Sequence, residues 1–398
     1  MSIPSRDAVR AWFPALQPDF ALLENAGGSQ VPQVVADAVR DYMLTSYVQL
    51  GAGYRHANAA DEVVAQAHAF IETFMGAEGA GKVVLGPSTT ALTNILANAY
   101  ADTIRPGDEV VIAVNNHEAN AGPWARLERR GATIRWWPVD PETLTCRLDT
   151  LRQLLNERTL IVALPHVSNL LGQVVDLKAA VDLAHAAGAK VVADGVAYAP
   201  HRLMDVADWG VDWYVYSTYK VYGPHMAALY GRHEAFADIE GPNHFFIPRE
   251  AVPYRFELGG VDHEGCAGLL ALRSYLRFLA GTEGDDRKTV VDAMTAMRDL
   301  EDPLTQQLVD GLRAEAHLRV LLPESADNVG TVSFVHESLP SAEVARRSIE
   351  QGVAIRNGHM YAWRLCEALG IEPTDGVVRA SLVHYNTPEE IERLLATL

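Results

Sequence analysis

The stretch STYKVYGP, residues 217–224, puts Lys220 at the end of an apolar strand-like run from Val211 to Tyr216. An amine at the buried end of a strand is costly unless chemistry uses it. Desolvation lowers a lysine pKa, and the neutral amine can condense with an aldehyde. Other polar groups follow apolar runs in the same way. Ser88 and Thr89 follow KVVLG, His117 follows EVVIAV, Asn169 follows LIVALP, and Asp194 ends KVVADG. Each alone has a plainer use: a helix cap, a loop histidine, an ion pair, a lysine reaching solvent. Their shared placement carries the argument.

From about residue 60 to 235 the apolar runs alternate with helical stretches such as Thr89–Tyr100, Pro123–Arg130 and Leu177–Ala187. This pattern predicts βαβ units and a parallel sheet covered on both faces. Ligands of such sheets bind at the carboxyl ends of the strands. Hydroxyls, an imidazole, an amide, a carboxylate and an amine therefore meet on one rim. Hydroxyls at a helix start suit a phosphate, because free N–H groups and the helix dipole favour an anion. The carboxylate suits a protonated pyridine nitrogen, the imidazole a ring face and the amine an aldehyde. One molecule combines these features, pyridoxal 5'-phosphate.

The chain has 398 residues, 48% of them hydrophobic, enough for a large core and two lobes. After about residue 264 helical patterns lead into short strands (RVLLP, GTVSFV, VVRASLV) and a helix from Pro388, which reads as a smaller α+β lobe. The net charge of -18 argues against nucleic acid or an anionic membrane as partner. The cysteines (Cys146, Cys266, Cys366) are far apart and form no CxxC pair. No apolar run has the length of a membrane span and the start lacks a signal-peptide core, so a cytoplasmic location is expected. GAEGAGK at 76–82 is close to a nucleotide-binding loop, but Val83 replaces the hydroxyl residue and the loop precedes a strand, so a turn is expected.

Several motifs in order then resemble the class V aminotransferases of fold type I, in their cysteine desulfurase-like branch. They are ENAGGSQVP, NHEANAGPW, HVSNLLG, VVADGVAYAPH, STYKVYGP, FELGGVDHE, RNGHMYA and RASLVHYNTPEEI. The resemblance implies an α/β fold: a large cofactor domain (40–260) with a mainly parallel seven-stranded sheet, and a small domain made of 1–39 and 261–398. It implies Lys220 as Schiff-base lysine, Asp194 on the pyridine nitrogen and His117 on the ring. Ser88, Thr89 and Ser217 fall at phosphate positions, Tyr219 and Asn169 at cofactor contacts, and Arg379 at the arginine that grips a substrate carboxylate. Asn25, Ala26, Arg356 and His359 are further substrate-side candidates. A homodimer with the site at the interface is implied, with Gly53–His56 and FELGGVDHE reaching across, Arg55 and His263 among them.

The sequence also departs from that pattern. Tyr361 stands where a persulfide-forming cysteine would be, and a phenol cannot accept sulfur as a thiolate does. Cys366 lies five residues on, roughly 140° round a helix. Ala197 replaces a glutamine expected at the cofactor's phenolic oxygen, and Gly260 a threonine expected at the partner's phosphate. The expectation is an enzyme acting on an amino acid without a protein persulfide. Transamination stands first. C–S or β-lysis, decarboxylation, aldol-type bond chemistry and kynureninase-like cleavage are alternatives, and a non-catalytic binding protein is the rival of another class.

Overall fold

A computed structural model describes residues 3–77, 79–323 and 327–398. Seven strands form the main sheet, in the order Gly81–Gly86, Ala227–Arg232, Trp213–Ser217, Lys190–Asp194, Thr159–Pro165, Glu109–Ala113, Thr133–Trp137. Ala227–Arg232 runs antiparallel to both neighbours and the other pairings are parallel. Successive residues of a strand serve opposite faces. Val83 and Leu85 join one apolar core and Val84 the other; Val111 and Ile112, or Tyr214 and Val215, divide likewise. Burial on both faces is why these strands read as unbroken apolar runs.

Thr89–Ala101 and Gly122–Ala125 contribute to the core on one face. The other face is covered by Arg55–Met75, Leu177–Ala186 and His263–Ala280. A second sheet of four antiparallel strands has the order Arg356–Gly358, Val377–Ser381, Thr331–His336, Leu318–Val320. It packs on Ser341–Glu350, Pro388–Leu395 and the second half of Arg287–Ala314. The amino-terminal strand Ala21–Leu22 pairs in parallel with Val353–Ala354, and Glu24 bridges to Ser381. The start of the chain is thereby tied to this smaller unit.

The expected division at residue 260 differs from the packing. His263–Ala280 is buried in the main core beside Gln33–Thr45, and Val290–Met297 follows it there. Leu304–Leu312, on the same helix as Val290, belongs to the small core. The change of core falls within Arg287–Ala314, near Glu301. That carboxylate is buried, 2.8 Å from His201 Nδ1, and accepts from Gly330 N–H at 3.3 Å. Helical periodicity shows which face is apolar, not which core that face meets. At 76–82 the helix ends at Gly76 in the left-handed conformation (φ 67°) and a strand begins at Gly81. No helix starts after this glycine-rich stretch to cradle a phosphate.

Candidate active site

The rim forms where the parallel strands end. Ser88 caps Thr89–Ala101, its Oγ accepting from Ala91 N–H at 3.1 Å. Helix geometry leaves the preceding first-turn N–H groups without intrahelical partners. The Thr89 hydroxyl is buried 2.8 Å from the Ser217 hydroxyl, at the end of Trp213–Ser217. Hydroxyls and a helix N-terminus thus converge on one anion-sized space.

Asp194 ends the strand Lys190–Asp194 and is buried. Oδ1 accepts from Val196 N–H at 2.9 Å, and among the described residues no salt bridge reaches the carboxylate. Burial pushes its pKa up to about 6, against a smaller opposing pull from Val196 N–H and Lys220. A buried carboxylate without a cation is an incomplete pair, and a protonated ring nitrogen completes it.

Lys220 closes a short 3₁₀ turn, Thr218–Lys220, just after the strand. Burial, then the charge of Arg379, lowers its amine to about 8. His117 caps Glu118–Asn120, its Nδ1 accepting from Ala119 N–H at 3.0 Å, so the ring proton sits on Nε2. Burial and the nearby charges of Lys220 and Arg379 lower it to about 3, so the imidazole is neutral. A neutral ring suits stacking better than an imidazolium would.

Arg379 lies on Val377–Ser381 with 4% exposure. One Nη donates to Asn169 O at 2.9 Å, and Nε has no partner among the described residues. Burial lowers its pKa to about 10, which still leaves a cation at neutral pH. Asn169 donates to Met360 O at 2.7 Å, while its Oδ1 is buried without a partner. Asn169 and Arg379 border two adjoining cavities. One encloses about 510 Å³ between Ser88, Thr89, His117, Asp194, Ser217 and Lys220. The other encloses about 850 Å³ between Ala26, Arg356, His359, Tyr361 and Arg379. His117, Asn169, Tyr219 and Lys220 line both.

Residues 21–394 match the sequence model of the family described as aminotransferase class-V. The chain belongs to the class V aminotransferase family. It is 36% identical to an aminotransferase-like protein of Gibberella zeae over 99% of this chain and 98% of that protein. It is 33% identical to a cysteine desulfurase of Dickeya dadantii, covering 98% and 95%. Among solved structures, a cysteine desulfurase from Thermococcus onnurineus superposes with TM-score 0.87 at 26% identity, covering 100% of this chain and 97% of that one. This class V member is accordingly a fold-type I, pyridoxal phosphate-dependent enzyme.

The residues present fit that cofactor. The hydroxyl and N–H cluster at Thr89 and Ser217 suits its phosphate, the unpaired Asp194 its ring nitrogen, the neutral His117 its ring and the Lys220 amine its aldehyde. Tyr219 lies in the rim with its ring stacked on His225 at 4.7 Å. Ala197, at the expected glutamine position, lines the cofactor cavity.

Not every candidate reaches the cavities. Asn25 is buried but spent on the scaffold: Nδ2 donates to Leu22 O, Ser381 O and Asn386 Oδ1, and Oδ1 accepts from Tyr385. Its neighbour Ala26 does line the second cavity. Arg55 is exposed at the start of its helix, and Gly260 is exposed with φ 91° and open space around it. His263 begins the next long helix. None of these three lines either cavity of this chain.

Tyr361 is 61% exposed on the cavity wall, its ring 5.2 Å from that of His117. Met360 and Tyr361 both have left-handed backbones, φ 49° and 60°. Such conformations persist where surroundings over-determine them. Here Asn169 holds Met360 O, Glu118 N–H holds Tyr361 O at 2.8 Å, and Tyr361 N–H reaches His359 Nδ1 at 3.1 Å. Glu24 was not singled out in the sequence, yet it pairs at 2.8 Å with Arg356, which lines the second cavity. No local pattern marks it, because its partner is 332 positions away.

Proposed function

We propose that this enzyme acts on an amino acid through Lys220 and forms no persulfide on the protein. The carrying observation is the substrate cavity, where Tyr361 takes the exposed position and no thiol lines the wall. All three cysteines are buried. Burial raises Cys146 to about 12 and Cys366 to about 11, far from the thiolate a sulfur acceptor needs.

Bound pyridoxal phosphate supplies an electron sink for charge developing at the substrate's α-carbon. Asp194 would keep the ring nitrogen protonated, and His117 would lie against the ring. Arg379 orients the substrate carboxylate by a charge-assisted, two-pronged contact. Lys220, about half neutral at pH 8, takes a proton from the α-carbon and returns it. Transamination is the first reading. A C–S or β-lyase without a protein persulfide is the second, favoured by the similarity to cysteine desulfurases at 33% identity.

A homodimer is part of the proposal. Leu44, Tyr47 and Tyr54 are exposed in one stretch, and Phe245, Phe246, Tyr254 and Leu258 in another. Apolar exposure of this extent suits cover by a second copy, which would bring Arg55, Gly260 and His263 towards a neighbouring site. Light scattering of the holoenzyme tests this, and a monomer at micromolar concentration would overturn it. No described helix is long and apolar enough to cross a membrane.

A panel of L-amino acids added to the holoenzyme tests the reaction. A lasting change in cofactor absorption with one equivalent of keto acid means transamination. Turnover to pyruvate and ammonia, or to sulfide, means lysis. Sulfane sulfur bound to the protein after L-cysteine would overturn the reading.

A further inference from the structure

Arg356 and Arg379 stand directly opposite each other on adjacent antiparallel strands. Directly opposed side chains lie on one face of a sheet, and two like charges there repel. Glu24 joins the same edge, because it bridges in parallel to Ser381, two residues beyond Arg379. Its Oε1 is 2.8 Å from Arg356 Nη1. The carboxylate lies against the backbone at Gly27, where an added Cβ would come within 2.5 Å of Oε1. Ala26 and Gly27, on the turn after Glu24, line the substrate cavity with both arginines. Among the described residues Arg379 has no such anion: it is buried, bonded to a carbonyl, and its Nε has no partner.

The charges therefore sum to one vacancy. Arg356 is matched by Glu24, and Arg379 awaits one carboxylate. We propose that Glu24 is a specificity-determining residue that occupies Arg356 and restricts the site to amino acids with one carboxylate and an uncharged side chain. This rests on the reading of Arg379 as the α-carboxylate partner. A second substrate carboxylate approaching Arg356 would find its charge already offset by the Glu24 carboxylate. The Glu24–Arg356 pair is about half exposed, with side-chain exposures of 36% and 52%, so it adds little to stability and its value lies in this local charge balance. Arg356 acts in return, since it keeps Glu24 from turning towards Arg379.

Titrations of the holoenzyme with L-alanine and L-aspartate, followed by cofactor absorption, test this. Glu24→Gln keeps size and hydrogen bonding while removing the charge. It is expected to raise the L-aspartate to L-alanine affinity ratio roughly tenfold, the equivalent of about 1.4 kcal/mol. Arg356→Gln frees Glu24 to compete for Arg379 and is expected to weaken L-alanine roughly tenfold. The double variant E24Q/R356Q is expected to recover L-alanine binding, which simple damage to the fold would not produce. An unchanged ratio in E24Q, or no recovery in the double variant, overturns the role of Glu24. Arg379→Gln separates the underlying reading: if it binds L-alanine as the parent does, the carboxylate assignment itself is wrong, whatever Glu24 does.

Discussion

The Thr89 and Ser217 hydroxyls meet at 2.8 Å, joining the first turn of a helix to the end of a strand 128 positions later. Both are buried, and the phosphate position proposed for them lies at the same rim as Lys220. A hydrogen bond to a charged group contributes about 1.5–3 kcal/mol. Thr89→Ala and Ser217→Ala are each expected to weaken cofactor retention by roughly tenfold or more. Dissociation of the cofactor during dialysis measures this, and retention equal to the parent's would remove the hydroxyl from the phosphate site.

Lys220 is expected to be the point of covalent attachment. Borohydride reduction followed by peptide mapping should label Lys220 in the parent and no other lysine in Lys220→Ala. The amine is lowered to about 8, first by burial and then by Arg379. It is mostly protonated below that pH and free above it. The rate of cofactor incorporation into apoenzyme should therefore rise from pH 7 and level off near pH 9. A rate still climbing at pH 10 would show an unperturbed lysine.

Asp194 sets a second pH dependence. Its folded pKa, about 6, lies above the unfolded value near 3.8. Burial thus penalises the charged form, and without a cationic partner the fold loses stability as pH rises through 6. Below the unfolded value the penalty is absent. The full shift corresponds to at most about 3 kcal/mol. Apoenzyme carrying Asp194→Asn should melt above apo parent at pH 7.5, with the gap closing by pH 4. Holoenzyme should show the reverse order, because the ring nitrogen loses its counter-charge. A variant that lowers the apo melting temperature at pH 7.5 would contradict this.

The proposal that no persulfide forms on the protein rests on Tyr361. The parent should hold no cyanide-reactive sulfur after incubation with L-cysteine. Tyr361→Cys places a thiol on the exposed wall of the substrate cavity and should gain it. Sulfur on the parent, mapped to any of its three cysteines, would count against the proposed chemistry.

Much of this site was legible in the chain. An apolar run ended by a polar residue is a local signal, and ligands bind where parallel strands end. Lys220, Asp194, His117, Asn169, Ser88 and Thr89 could therefore be named together, while Ser217 came only from the family resemblance. The helix Thr89–Ala101 and the carboxy-terminal helix from Pro388 also matched their periodicity. Strand direction was not legible, because the apolar run Ala227–Arg232 reads the same in either orientation. Thr133–Trp137 escaped notice because, at the sheet edge, it is only partly buried.

Motif position alone also grouped Asn25 with Ala26, yet only the folded chain shows one bonded into the scaffold and the other facing the cavity. The register of Arg356 on Arg379, and the reach of Glu24 across the chain, depend on tertiary pairing of segments distant in sequence. Residue types thus determined which chemistry was possible on the rim. Three-dimensional pairing decided that Arg356 is matched by Glu24 while Arg379, among the described residues, has no carboxylate partner.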